Sequence, residues 1–139
     1  MSRRKMYILL SSVSLILGFF VYVLFREDSY IGILFGKFQL VHIVRELTSQ
    51  LSCDFLKFYF TDYLWGFSLC CSLLAIYVPK QSGCILCSGT AFLYGCIWEW
   101  MQYKHLFNGT GDICDVFMYF LASITCLIIN IRSERNEKK

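Results

Sequence analysis

The sequence contains little charge and almost no proline. Of its 139 residues, 17% are charged and one is proline, whereas 57% are apolar. A soluble domain has about 25% charged and about 45–50% apolar residues, so the shortage of charge argues against a soluble domain. The abundance of apolar residues excludes a disordered chain. The length allows one domain at most.

Charges are almost absent from four stretches, each close to the length needed to cross a membrane as a helix. Twenty helical residues rise about 30 Å, which is the thickness of the hydrocarbon layer. A helix also satisfies its own backbone hydrogen bonds, as lipid requires. The sequence therefore predicts an all-α, multi-pass membrane protein in which a single domain (1–139) contains four transmembrane helices. These spans lie at about 6–25, 63–78, 83–103 and 113–131.

The basic residues are distributed unevenly between the two sides of such a protein. One side would carry eight of them, namely Arg3, Arg4, Lys5, Lys80, Arg132, Arg135, Lys138 and Lys139. The other side would carry five, namely Arg26, Lys37, Arg45, Lys57 and Lys104. Because the cytoplasmic side carries the excess, we predict a cell-membrane protein with cytoplasmic N- and C-termini. The net charge of +3 is then a consequence of topology, and no clustered basic face indicates nucleic-acid binding.

The segment between the first two spans contains an amphipathic pattern. Apolar residues recur at helical spacing at Leu40, Ile43, Val44, Leu47 and Leu51. The opposite face carries His42, Arg45, Glu46, Ser49 and Gln50. The pattern favours a helix that lies in the extracytoplasmic membrane interface. A helix that packs on the end of the bundle remains an alternative.

Five polar residues lie at or near the ends of the spans that should face the extracytoplasmic side. They are Asp62, Glu99, Gln102, Asp112 and Asp115. A carboxylate at the bilayer centre costs about 3 kcal/mol, so such residues usually face a bundle interior or a water-filled cavity. We therefore take these five residues as a candidate ligand-binding cavity.

Helix capping is the competing explanation for several of these acids. Asp112 follows a glycine-rich loop and suits an N-cap, and Asp115 would favour the positive end of the same helix. Asp62 fits the start of the second span in the same way. Glu99 would then only mark the water-exposed end of a short span. Both explanations remain open at this point.

The sequence contains no motif that identifies an enzyme. It has no nucleophile elbow, phosphate-binding loop or zinc-protease motif. Cys84 and Cys87 form one CxxC without a second pair to complete a zinc site. Cys70, Cys71, Cys96 and Cys126 are expected to pack between helices as small apolar residues. We therefore predict no metal site, no cofactor and no catalytic residue.

Two short motifs resemble the VanZ-like family of small bacterial membrane proteins. An E-x-x-Q helix end at Glu99 and Gln102 precedes a D-x-x-D helix start at Asp112 and Asp115, and residues 62–69 are also similar. The resemblance covers about residues 60–130. The chain departs from the family pattern at Tyr119, where Asn is common, and at Ala122, where Gly is common. The resemblance implies a role in the cell envelope and in resistance to glycopeptides of the teicoplanin type.

Three functional hypotheses follow. The first is a VanZ-like envelope protein that binds a membrane lipid, a cell-wall precursor or a glycopeptide in the acidic cavity. The second is a membrane-embedded enzyme in which Glu99 or Asp115 acts as general acid or base. The third is a structural or regulatory subunit that packs against another membrane protein. The missing nucleophile and metal ligands count against the enzyme.

Overall fold

The computed structural model describes residues 2–25, 30–48, 55, 59–77, 81–107 and 109–137. All regular secondary structure in these ranges is helical. The helices are α1 (Arg3–Phe25), α2 (Tyr30–Gly36), α3 (Gln39–Thr48), α4 (Phe60–Tyr77), α5 (Gln81–Tyr103) and α6 (Ile113–Glu137).

Four of these helices, α1, α4, α5 and α6, are long and apolar enough to cross a membrane. The prediction of an all-α protein with four such helices is therefore confirmed. The helices extend beyond the uncharged runs, since α1 begins at Arg3 and α6 continues to Glu137. Charged residues can continue a helix where its end leaves the hydrocarbon layer, so hydropathy underestimates helix length there.

Helix α4 lies at the centre of the bundle and packs against α1, α5 and α6. Serines line its contact with α1. The Ser68 hydroxyl donates to the main-chain oxygen of Ser11 (3.0 Å), and Ser11 Oγ lies 2.7 Å from Ser72 Oγ. Small residues with hydroxyls let two helices approach closely in lipid and add hydrogen bonds between them. This contact fixes the rotation of α4 relative to α1.

Three of the four cysteines predicted to pack between helices, Cys70, Cys71 and Cys126, are buried, whereas Cys96 is partly exposed. Cys84 and Cys87 of the CxxC pair are buried as well. The sulfurs of Cys71 and Cys126 lie 3.7 Å apart across the α4–α6 contact, and Cys70 Sγ lies 3.3 Å from Ser88 Oγ on α5. These thiols fill the space where three helices meet.

A cluster of polar side chains joins α1 to α6 at the end of the bundle where both helices have their chain termini. Arg3 Nη2 and the Tyr7 hydroxyl each donate to Asn130 Oδ1 at 2.6 Å. Asn130 Nδ2 donates to Glu134 (3.1 Å), which also forms an ion pair with Arg3 (3.3 Å). Tyr7 and Asn130 are 0% and 1% exposed. We call this end the terminal end and the opposite one the loop end, after the α5–α6 loop (104–112).

Helices α2 and α3 lie at the loop end, beside the last turns of α1. The helix predicted from the apolar periodicity appears as α3, whereas α2 was not predicted. Leu40, Ile43 and Leu47 of α3 are exposed, so an apolar face is available to lipid. Leu51, Ser49 and Gln50, which the pattern included, lie outside the described residues.

Arg45 does not simply face water with the polar side of α3. Its Nη2 donates to the main-chain oxygens of Val23 (2.7 Å) and Gly32 (2.9 Å). The guanidinium thus binds one carbonyl in the last turn of α1, where a helix leaves carbonyls without internal partners, and one carbonyl of α2. Arg45 thereby fixes both short helices against α1.

Candidate ligand-binding cleft

A cleft of about 570 Å³ lies in the loop-end half of the bundle, between α1, α2, α4 and α5, with Tyr119 of α6 behind it. Six of the fourteen described residues that line it are aromatic, and Asp62 is the only charged one among them. The aromatic residues are Phe19, Tyr22, Trp65, Tyr94, Trp98 and Tyr119. An apolar cavity with a few convergent polar groups is the usual form of a small-molecule site.

Tyr119 forms the inner wall of the cleft because two glycines leave room for its ring. A Cβ added to Gly66 on α4 would lie 2.8 Å from Tyr119 Cδ1, and one added to Gly95 on α5 would lie 2.5 Å from Cδ2. Both distances are far below van der Waals contact. The ring is therefore held between the backbones of two neighbouring helices.

The position of Tyr119 brings its hydroxyl to Asp62. The hydroxyl donates to Asp62 Oδ1 at 3.3 Å, across α6 and α4. Asp62 lies in the first turn of α4, where the helix dipole favours a carboxylate. The acid is therefore stabilised at the helix start and oriented by a phenol from another helix. The carboxylates of Asp62, Glu99 and Asp115 all lie within electrostatic range of the Tyr119 hydroxyl.

Glu99 lies beside the cleft rather than in its wall, and it is 5% exposed. Its Oε2 accepts a hydrogen bond from the main-chain N–H of Asp112 at 3.2 Å. Gln102 lines the cleft. In one orientation of its amide, both the nitrogen and the oxygen have a hydrogen-bond partner. In that orientation its nitrogen donates to Glu99 Oε2 (3.3 Å) and its oxygen accepts from the Trp98 indole (3.0 Å).

Asp112 holds the start of α6. Its Oδ1 accepts from the main-chain N–H of Cys114 at 3.0 Å, which is the N-cap geometry that the loop sequence predicts. Its Oδ2 lies 3.5 Å from the Tyr59 hydroxyl. The neighbouring Cys114 side chain and Asp112 carboxylate raise the pKa of the Tyr59 hydroxyl above its usual range, which favours the protonated phenol that donates.

The loop before Asp112 runs directly over the end of α5. A Cβ added to Gly111 would lie 2.6 Å from the main-chain oxygen of Glu99 and 2.7 Å from the nitrogen of Tyr103. Only glycine allows this approach without displacing one of the two backbones. We call Tyr59, Glu99, Gln102 and Asp112 the Glu99 cluster, since it ties the starts of α4 and α6 to the end of α5.

The structure brings two of the five predicted residues to the cleft, namely Asp62 and Gln102. Glu99 accepts a hydrogen bond from the main-chain N–H of Asp112, and the Asp112 side chain caps its own helix, α6. Asp115 is half-buried in the first turn of α6. The aromatic walls and Tyr119 were not predicted as site residues. Gly66 and Gly95 were the available signal, because glycine inside a membrane helix often marks a close contact.

No family model matches this chain, and no curated protein or solved structure matches it either.

Proposed function

We propose that this chain is a VanZ-like integral membrane protein of the cell envelope that binds the head of a lipid in its aromatic cleft. The observation that carries the proposal is the cleft itself, with Asp62 and Gln102 as polar groups in an aromatic wall. A lipid head approaches such a site from the surrounding bilayer, so no path through water is needed. Both chain termini are proposed to be cytoplasmic, which places the cleft in the extracytoplasmic half.

The volume of the cleft supports a small ligand. Sites for drug-sized molecules measure about 300–1,000 Å³, and this cleft measures about 570 Å³. A lipid head, or the equivalent part of a cell-wall precursor, suits that volume. A complete glycopeptide antibiotic would be held by one of its groups only.

Helix α3 supports the same assignment. Its exposed Leu40, Ile43 and Leu47 offer an apolar face, and Arg45 anchors the helix to α1. We propose that this face lies in the extracytoplasmic interface, next to α2 and Ile31, a lining residue of the cleft. Lipid heads at that depth would then meet the cleft directly.

Filling the cleft tests lipid binding. Leu69 lines the cleft, whereas Leu93 is 60% exposed on α5 and does not. We expect native mass spectrometry of the purified full chain to show a retained lipid for wild type and Leu93→Trp. Leu69→Trp should lose most of it, because the indole takes the space of the head. Ile31→Trp fills the cleft from α2 and repeats the test if Leu69→Trp is unstable.

Equal retention of lipid by the two lining variants and Leu93→Trp would contradict the proposal.

The resistance that the family resemblance implies is tested with the same variants. Cells with the intact chain should be less susceptible to a teicoplanin-type glycopeptide than cells with Leu69→Trp. Equal susceptibility would remove the resistance role and leave lipid binding in place.

A further inference from the structure

We infer that the cleft selects an amphiphile whose head is an ammonium group, held by the Asp62 carboxylate and the surrounding aromatic rings. The inference rests on the proposed function, since it concerns the same cleft, and it specifies the chemical class of the ligand. It follows from the sign of the charges in the wall.

The formal charge of the described lining is negative. Asp62 contributes a carboxylate, and the other polar side-chain groups, namely the Gln102 amide, the tyrosine hydroxyls and the tryptophan indole N–H groups, are neutral. An anionic head would face this carboxylate in a medium of low dielectric, where repulsion between like charges is strong. A cationic head would be attracted by the same group.

The aromatic rings act in the same direction. The faces of Trp, Tyr and Phe rings carry negative electrostatic potential and attract ammonium groups within about 6 Å, and Trp does so most strongly. Trp65, Trp98 and Tyr94 line the cleft and are partly exposed. Rings of this kind bind a quaternary ammonium, which has no N–H group to donate, through their faces.

The carboxylate is oriented before any ligand arrives. Tyr119 donates to Asp62 Oδ1, and the Tyr119 ring is fixed between Gly66 and Gly95. Trp98 is held by other contacts. Its ring stacks on that of Phe107 with centroids 5.1 Å apart, and its indole N–H donates to the Gln102 amide in the orientation described above. A site with its charge and its rings already in place loses little entropy on binding.

The test uses one cationic and one uncharged probe with the same chain length. Dodecyltrimethylammonium and the glycerol ether of dodecanol are titrated into the full chain in dodecyl maltoside, with tryptophan fluorescence as the readout. Asp62→Asn keeps the shape and removes the charge. We expect it to weaken binding of the cation about tenfold, equivalent to about 1.4 kcal/mol, and to leave the ether unchanged. Trp65→Leu should also weaken binding of the cationic probe.

Asp112→Asn is the matched control. It removes one negative charge at the same end of the bundle, Asn remains a good N-cap, and Asp112 does not line the cleft. Its effect on the cation should be less than about twofold. Equal effects of Asp62→Asn and Asp112→Asn would overturn the inference, as would equal loss of both probes in Asp62→Asn.

The outcomes separate this inference from the proposed function. If Leu69→Trp blocks both probes while Asp62→Asn affects neither, the cleft binds amphiphiles without selecting a cation. If Leu69→Trp blocks neither probe, both proposals fail. Competition by phosphatidylethanolamine but not by phosphatidylglycerol would identify a lipid as the source of the ammonium. Lack of competition by either lipid would indicate a free amphiphilic amine.

Discussion

Replacement of Gly95 by alanine is expected to destabilise the protein, although the same change usually strengthens a helix. The added methyl group would lie 2.5 Å from Cδ2 and 3.0 Å from Cβ of Tyr119. The ring cannot move toward α4, because the α4 backbone at Gly66 already lies against the opposite edge of the ring. Either α5 must move away from α6 or the Tyr119 side chain must leave its position.

The magnitude follows from three contributions. Overpacking a tight contact costs about 1–3 kcal/mol. Displacement of the Tyr119 hydroxyl from Asp62 removes a hydrogen bond worth about 1 kcal/mol. The better helix propensity of alanine offsets up to about 1 kcal/mol of this. We therefore expect Gly95→Ala to lower the free energy of unfolding by about 2 kcal/mol.

Gly89 on the same helix provides the control, because a Cβ added there meets nothing within 4 Å. Gly89→Ala should be neutral or stabilising by up to about 1 kcal/mol. Unfolding of both variants can be followed by circular dichroism as dodecyl sulfate is added to dodecyl maltoside micelles. In a Tyr119→Ala background, Gly95→Ala should lose most of its cost, because the clashing ring is gone. Similar effects of the two glycine variants, or an undiminished cost in that background, would refute the reasoning.

Two further predictions concern the terminal end and the topology. Asn130→Ala removes the acceptor of the buried Tyr7 hydroxyl, while Arg3 keeps its ion pair with Glu134, so it should lower the free energy of unfolding by about 1–3 kcal/mol in the same assay. Arg132→Ala, at an exposed position, should change that free energy by less than about 0.5 kcal/mol, and equal effects of the two variants would show that the cluster contributes nothing. For the topology, a thiol-reactive label of low membrane permeability, added outside the cell, should react with a Cys introduced at His105. It should not react with a Cys introduced at Gln81, and the reverse pattern would contradict the proposed topology.

Hydropathy was sufficient to predict the four membrane-length helices because each span carries its own signal in consecutive residues. The N-cap at Asp112 was accessible for the same reason, since the glycine-rich loop precedes it directly. The Tyr119–Asp62 hydrogen bond could not be predicted from the sequence. It depends on the rotation of α4 and α6 about their axes, which span length does not determine. The departure from the family pattern at Tyr119 was visible, but only the fold shows that its hydroxyl supplies a partner for Asp62.

The contacts of Arg45 are a second example of an interaction between helices that the sequence pattern does not predict. The α3 pattern assigned Arg45 to the polar side of the helix, and the structure shows that its guanidinium binds main-chain carbonyls of α1 and α2. Amphipathic periodicity assigns a residue to one side of a helix. It contains no information about a neighbouring helix whose main-chain carbonyls lie on the same side.

The contact between α1 and α6 at the terminal end has a consequence for biogenesis. The partners that Arg3 and Tyr7 bind in α6 lie 131 and 123 residues further along the chain. A ribosome therefore delivers the first helix to the membrane long before Asn130 and Glu134 have been synthesised. During that interval a chaperone, lipid heads or water must satisfy the polar groups of α1, and the bundle can close only after the last helix has inserted.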